Sequence, residues 1–192
     1  MEDSMKASVL VLALLVLACV PARAADRYTI DPESSIPVFQ VLHLGFTTQR
    51  GRFDKVAGTI LIDAAAHRGS VDFRIDAGSL DMGSRSWTAH LADEKLFNTL
   101  KFPTIVFHAD DFRFDGDRVV GADGDLTMIG ITRRVHVVVE RFHCGLHPQS
   151  QRRICGGDIH ATLRRSEFGL LNYLDAVGDE VRIDAPILAY AD

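Results

Sequence analysis

The chain has 192 residues, 47% hydrophobic and 24% charged, with a formal net charge of −5 at pH 7. An acidic balance without any long basic run lacks the positive patch that a nucleic-acid-binding domain needs, so no nucleic-acid partner is expected. No low-complexity linker, internal repeat or break in composition divides it, so one folded domain is expected.

Residues 10–20 form an apolar run with Lys6 before it and Pro21-Ala22-Arg23-Ala24 after it. A basic start, a short apolar core and an Ala-x-Ala end are the pattern of a secretory signal peptide. The run is too short to span a bilayer, which takes roughly twenty apolar residues. Cleavage after Ala24 leaves residues 25–192 as a single domain, periplasmic or secreted. The net charge is unchanged, because Lys6 and Arg23 leave together with Glu2 and Asp3. Two alternatives stay open here: Met5 as the start, and Val16-Leu17-Ala18-Cys19 as a lipoprotein processing site with Cys19 lipidated.

Residues 28–53 contain a strand that places Phe39, Val41 and His43 on one face and Val38, Gln40 and Leu42 on the other. Apart from Gln40 and His43 both faces are apolar, so the strand is expected to have cover on both sides, with a turn over residues 47–51. Residues 58–63 read as the next strand. Val71, Phe73 and Ile75 then alternate with Asp72, Arg74 and Asp76, the period of a half-buried antiparallel strand. Residues 84–98 break this pattern: Trp87, His90, Leu91, Glu94 and Phe97 recur at helical spacing, with Ser84 or Ser86 available as an N-cap. Pro103 ends the segment, since it has no N–H to offer.

From Thr104 onward the chain is almost entirely strand. Ile105, Phe107 and Ala109 oppose Val106 and His108. A hairpin turns at Ile129-Gly130, and Val135, Val137 and Val139 oppose His136, Val138 and Glu140 on its second arm. Ile159, Ala161 and Leu163 alternate with His160, Thr162 and Arg164. Residues 181–190 read either as a strand pair or as one strand bent at Pro186. Cys144 and Cys155 flank the polar loop 145–154 between two strand-like runs, and in an oxidising compartment a disulfide is the simplest reading. Closing so short a loop stabilises by about 3 kcal/mol at most on chain-entropy grounds. His143, Cys144, His147 and Cys155 carry ligand types that suit zinc, but no Cys-x-x-Cys spacing supports a metal site, so none is expected. About eight close-set strands with one helical interruption make a sandwich or a barrel. Several strands are apolar on both faces, which a single sheet packed on one side does not need, and a barrel of eight strands has an interior just wide enough for side chains or one small ligand.

Six motifs in order carry a family resemblance: Tyr28-x-Ile30-Asp31, Phe39-x-Val41-x-His43-x-Gly45, Gly51-x-Phe53, Phe102-Pro103-x-Ile105-x-Phe107, Gly124-Asp125-Leu126-Thr127-x-x-Gly130-x-Thr132 and Arg165-Ser166-Glu167-Phe168-Gly169. Together they resemble the YceI-like family over residues 28–189. The resemblance implies an all-β fold, an extended antiparallel lipocalin-like barrel of about eight strands with one short helix beside or over it. It also implies a periplasmic protein that holds a long isoprenoid, a polyprenyl derivative, a quinone or a similar amphiphile in the barrel. Relatives often carry an Arg-Asp pair just before the His-Leu of the helix, where this chain has Trp87-Thr88 before His90-Leu91. That departure favours a less charged head group, with Arg85 as an alternative source of charge.

A lipid-binding role needs an apolar cavity with few polar groups at its mouth. Phe39, Val41, Phe107 and Phe168 are the expected lining, with Trp87, His90 and Phe97 of the helix at the entrance and His43 placed to hydrogen-bond a carbonyl or head-group oxygen. The alternative for each is an ordinary core residue, and for the whole chain a filled structural or interaction domain. No Gly-x-Ser-x-Gly elbow, metal-spaced histidine pair or phosphate-cradling loop is present, so no catalytic residue is assigned and an enzyme is not expected. His90 with Glu94 on one helical face would be the pair for a small hydrolase or isomerase. Besides the lipid, which takes the place of a cofactor, a membrane partner in redox chemistry or lipid synthesis and a homodimer complete the expectations.

Overall fold

The computed structural model describes residues 25–192. The signal-peptide and Cys19 readings fall on residues 1–24, outside the described residues. The strands are β1 Asp26–Ile30, β2 Val38–His43, β3 Thr47–Phe53, β4 Val56–Asp63, β5 Arg68–Asp76, β6 Leu80–Asp81, β7 Thr104–Asp115, β8 Arg118–Met128, β9 Ile131–Leu146, β10 Arg153–Arg164 and β11 Val177–Ala191, with helix α1 at Arg85–Ala92 between β6 and β7.

All eleven strands belong to one antiparallel sheet. Eight of them (β1, β4, β5, β7, β8, β9, β10 and β11) close into a barrel through the β1–β11 pairing. Closure removes the exposed edges that an open sheet of this size would present. The side chains follow the pleat: on β9, Val135 and Val137 are buried while Arg134, His136 and Val138 face out.

β11 is long enough to serve two neighbours along one edge. Its first half pairs with β2, from Asp184↔Val38 toward Val177↔His43, and its end pairs with β1 at Ala189, Tyr190 and Ala191. Between these ladders the chain crosses from β1 to β2 through residues 31–37. Ser35, wholly buried, donates its hydroxyl to the Leu188 carbonyl and accepts from the Leu188 N–H, and Asp31 N donates to the same carbonyl. Pro186 lies two residues before Leu188 and so faces the same edge, in the gap where no ladder needs its missing N–H. Residues 181–190 are therefore one continuous strand. The β2–β3 hairpin with β6 forms a three-strand wing that lengthens the barrel on this side.

The ring of eight strands agrees with the expected barrel of about eight, and the wing adds β2, β3 and β6 to the same sheet. Two expectations are corrected. The expected turn over residues 47–51 is strand β3, and the true turn is Leu44, Gly45 and Phe46, where Leu44 and Gly45 take φ of 55° and 72°. The helix stops at Ala92 instead of reaching residue 98. Asp93 ends it in extended geometry, its carboxylate accepts from Lys95 N, and Asn98 with φ 44° turns the chain back toward β7.

Cys144 and Cys155 sit directly opposite one another on β9 and β10 and form a disulfide. The bond closes the base of this hairpin's loop at the barrel end remote from α1. Two clusters of buried side chains line the barrel. One holds Phe39, Phe53, Ile105, Met128 and Phe168, and the other Tyr28, Ile30, Ile62, Phe73, Cys155 and Ala189. Val71, Ile75 and Phe107 pack against both.

Candidate functional site

A cavity of about 610 Å³ opens at the α1 end of the barrel. Its size is within the usual range for small-molecule sites, about 300–1,000 Å³. A second space of about 170 Å³ continues toward the disulfide end; Pro37, Ile75, Leu126, Leu163 and Ile183 belong to the walls of both.

β2 supplies one wall by simple alternation. Phe39, Val41 and His43 point inward in order from the deep end to the mouth, as expected from the sequence. Phe39 can lie across β3 only because its register partner there is Gly51. A Cβ on Gly51 would stand 2.3 Å from the Phe39 ring and 2.4 Å from the Met82 sulfur. Phe39, Phe53 and Phe97 then pack as a trio, with ring centroids 5.8–6.2 Å apart and the Phe53–Phe97 pair edge to face at 85°. Such geometry suits the ring quadrupoles.

α1 covers the mouth with one face. Trp87, His90 and Leu91, at i, i+3 and i+4, all line the cavity, whereas none of its eight residues is fully buried. Thr88 faces away from this role, its hydroxyl accepting from Met82 N. The Trp87 ring meets the His43 ring edge to face at 5.2 Å, and His90 meets Tyr173 at 5.6 Å. Neither histidine has a carboxylate or hydroxyl partner among the described residues. Glu94 lies past the end of α1, so the i, i+4 pairing with His90 does not form. Arg85 is exposed and is not part of the wall.

Of the residues singled out from the sequence, Phe39, Val41, His43, Trp87, His90 and Phe97 share the large cavity. Phe107 lines the smaller one. Phe168 is 1% exposed and belongs to neither wall; the short 3₁₀ turn that carries it directs it into the core.

That turn brings in a residue that the sequence placed in a motif but not in the site. Arg165 is 7% exposed and is the one formally charged side chain on the large cavity's wall among the described residues. Its guanidinium donates to four backbone carbonyls: Gly178 at 2.9 Å from Nε, Leu170 at 2.6 Å and Asn172 at 2.9 Å from Nη1, and Val177 at 2.8 Å from Nη2. Burial lowers its pKa from the ordinary arginine value, and the nearby Asp179 charge partly offsets this. The Asp179 carboxylate is held below the usual carboxylate range, chiefly by the Ser166 backbone N–H at 2.9 Å and also by the Ser166 hydroxyl at 2.8 Å. The signal for Arg165 was present in the period of β10, where Ile159, Ala161 and Leu163 put position 165 on the inner face. Tyr173 and Asn172 come from an irregular loop and left no periodic trace.

Residues 28–189 match the profile of the YceI-like domain. A UPF0312 protein of Shewanella denitrificans is 30% identical over 189 residues, 96% of each chain. The crystal structure of BcnA from Burkholderia cenocepacia superposes with a TM-score of 0.66 at 22% identity, covering 83% of this chain and 98% of that one. A polyisoprenoid binding domain from Saccharophagus degradans superposes with a TM-score of 0.63 at 16% identity, over 88% of this chain and all of the other.

Proposed function

The chain belongs to the YceI-like family, and from that premise we propose that it is a non-catalytic carrier, outside the cytoplasm, for a long-chain isoprenoid or similar amphiphile. The observation that carries this reading is the wall of the cavity. Its depth is built from Phe39, Ile75, Leu126, Leu163 and Ile183, and hydrogen-bonding side chains (His43, Gln49, Ser86, His90, Asn172) are found toward the α1 end. An amphiphile would lay its tail along the barrel and its polar end beneath α1. The named ligand class of the Saccharophagus degradans domain agrees with this chemistry.

The charge pattern favours a weakly charged head group, such as a quinone, a free isoprenoid or a fatty-acid derivative. Four of the five N–H donors of Arg165 already serve backbone carbonyls, and the other polar groups at the mouth are neutral side chains or histidines. His43 and His90, unpartnered by carboxylates, can each offer one hydrogen bond to a carbonyl or hydroxyl oxygen.

Native mass spectrometry of the purified protein, followed by organic extraction, tests the proposal. A bound mass in the range of a long-chain lipid is expected. Val41→Trp, which fills the middle of the large cavity, should abolish or sharply reduce that mass while the protein stays folded. A lipid-free parent protein, or a variant that carries the same load, would mean that the barrel is a structural domain.

A further inference from the structure

Three separate segments meet around the mouth of the cavity and form a collar. The tip of the β2–β3 hairpin joins the loop of residues 169–176 through the Leu44 N–H, which donates to the Ala176 carbonyl at 2.6 Å. That loop joins the helical segment through the Tyr173–His90 ring contact and through Asn172, which donates to the Lys95 carbonyl at 2.5 Å. The helix returns to the hairpin through Trp87 and His43. The inward side of this collar is the cavity mouth. Its outward side carries most of the large apolar side chains that the described residues expose: Phe46 at 89%, Leu100 at 98%, Leu171 at 60%, Leu44 at 55% and Leu174 at 42%, with Trp87 and Tyr173 half-exposed among them. Elsewhere on the barrel, exposed large apolar side chains are single, as at Val138 and Leu146.

We infer that this collar is a docking surface for a phospholipid bilayer. The inference rests on the lipid-carrier reading, and three observations select a bilayer over a protein or a second copy. First, the apolar surface is continuous from the cavity wall through Trp87 and Tyr173 onto the outer face. An insoluble ligand crosses from bilayer to barrel without entering water only if that face is seated on the bilayer. Second, the composition is that of an interfacial surface: leucines and a phenylalanine to insert, and a tryptophan and a tyrosine whose amphipathic rings favour the head-group level. Third, the charges fit. Arg50, Arg85, Lys95 and Lys101 on these segments offset Asp93, Glu94 and Asp175, so the collar is nearly neutral on a protein of net charge −5. An acidic protein can approach a membrane surface closely only with such a face. Near-neutrality also assigns the binding to apolar insertion rather than to ionic attraction.

Co-sedimentation with phosphatidylcholine vesicles tests the docking, with quenching of the sole tryptophan, Trp87, by brominated acyl chains as a second readout. The wild-type chain is expected to bind, with its tryptophan quenched, and the partition is expected to change by less than about twofold on raising salt. The double variant Phe46→Glu, Leu171→Glu, neither residue lining the cavity, should weaken the partition by roughly tenfold or more. Leu146→Glu, at the far end of the barrel, should leave it unchanged. Failure of the wild type to bind vesicles, binding that high salt abolishes, or a double variant that binds like the parent overturns the proposal. So does a wild-type dimer in sedimentation velocity that the double variant dissolves, since the occupant is then a second copy. Native mass spectrometry of the same samples separates the two readings. A protein that carries lipid but ignores vesicles lacks only the docking function, whereas one without lipid loses the carrier reading first.

Discussion

Arg165 shows how much a single buried charge organises here. A lysine at this position has one ammonium and could reach at most a few of the carbonyls between Leu170 and Gly178. Arg165→Lys should therefore lower stability by about 2–4 kcal/mol, because carbonyls that are buried in the parent would lose their donors. Urea denaturation would measure it, and Asn172 and Tyr173, which the same loop places at the mouth, should lose their fixed positions. Asp179 gives a pH signature with a definite sign. Its pKa is depressed in the folded state, so its contribution is present at neutral pH and is lost as the pH falls through the folded-state value. Asp179→Asn should lower stability at neutral pH and flatten the acid side of the stability profile below the ordinary carboxylate pKa. An unchanged acid limb in that variant would show that the Ser166 hydrogen bonds contribute nothing net.

Among the elements, β2 and β3 depend on each other through Gly51. The phenylalanine ring of β2 occupies the space where a side chain on β3 would stand, so the pair behaves as one aromatic-on-glycine unit. Gly51→Val should displace Phe39 from the Phe53–Phe97 trio and reshape the deep end of the cavity. The expected outcome is a stability loss of about 1–3 kcal/mol, typical of overpacking, together with reduced lipid load in native mass spectrometry. Helix α1 is the opposite case. Eight residues are too few for an independently stable helix, and none of its side chains is fully buried. It is held by Leu91 packing against the core, by the ring contacts to His43 and Tyr173, by the Thr88–Met82 hydrogen bond, and by the Phe97 and Thr99 N–H groups, which donate to the Leu91 and Ala92 carbonyls. The amphipathic period of residues 84–98 suggested a longer helix, yet Leu96 and Phe97 reach the same cavity from irregular chain beyond Asp93. Helical spacing in sequence placed Trp87, His90 and Leu91 correctly on the helix, whereas Phe97 reaches the cavity without one and Glu94 does not reach it.

For the molecule as a whole, an apolar cavity of about 610 Å³ is a liability unless something occupies it. Empty apolar space forfeits dispersion contacts on every wall. Stripping the lipid by organic extraction or detergent exchange should lower the thermal midpoint, and adding back a long-chain isoprenoid should restore it in a concentration-dependent way, as mass action requires. A protein whose midpoint ignores both treatments would be stable without a ligand, and the carrier reading would weaken accordingly.

The sequence by itself determined the all-β class, the inward faces of the strands, the Cys144–Cys155 pair and the family. Each of these is written in local terms: a period of two, a pair of cysteines flanking a hairpin loop, or motifs at fixed spacing. Phe39, Val41 and His43 could be placed on one face for the same reason. What the tertiary structure decided is non-local. Only closure of β1 onto β11 makes a barrel of the strands. Only the gap between β2 and β1 along β11 explains how Pro186 sits inside a strand. Phe107 and Phe168 share the sequence character of Phe39, yet one faces the smaller space and the other the core, because depth along a barrel depends on register and on the 3₁₀ turn rather than on alternation. The collar was least legible of all. Its exposed Phe46, Leu100, Leu171 and Leu174 come from three separate segments, and nothing in the order of the chain says that these meet around one opening.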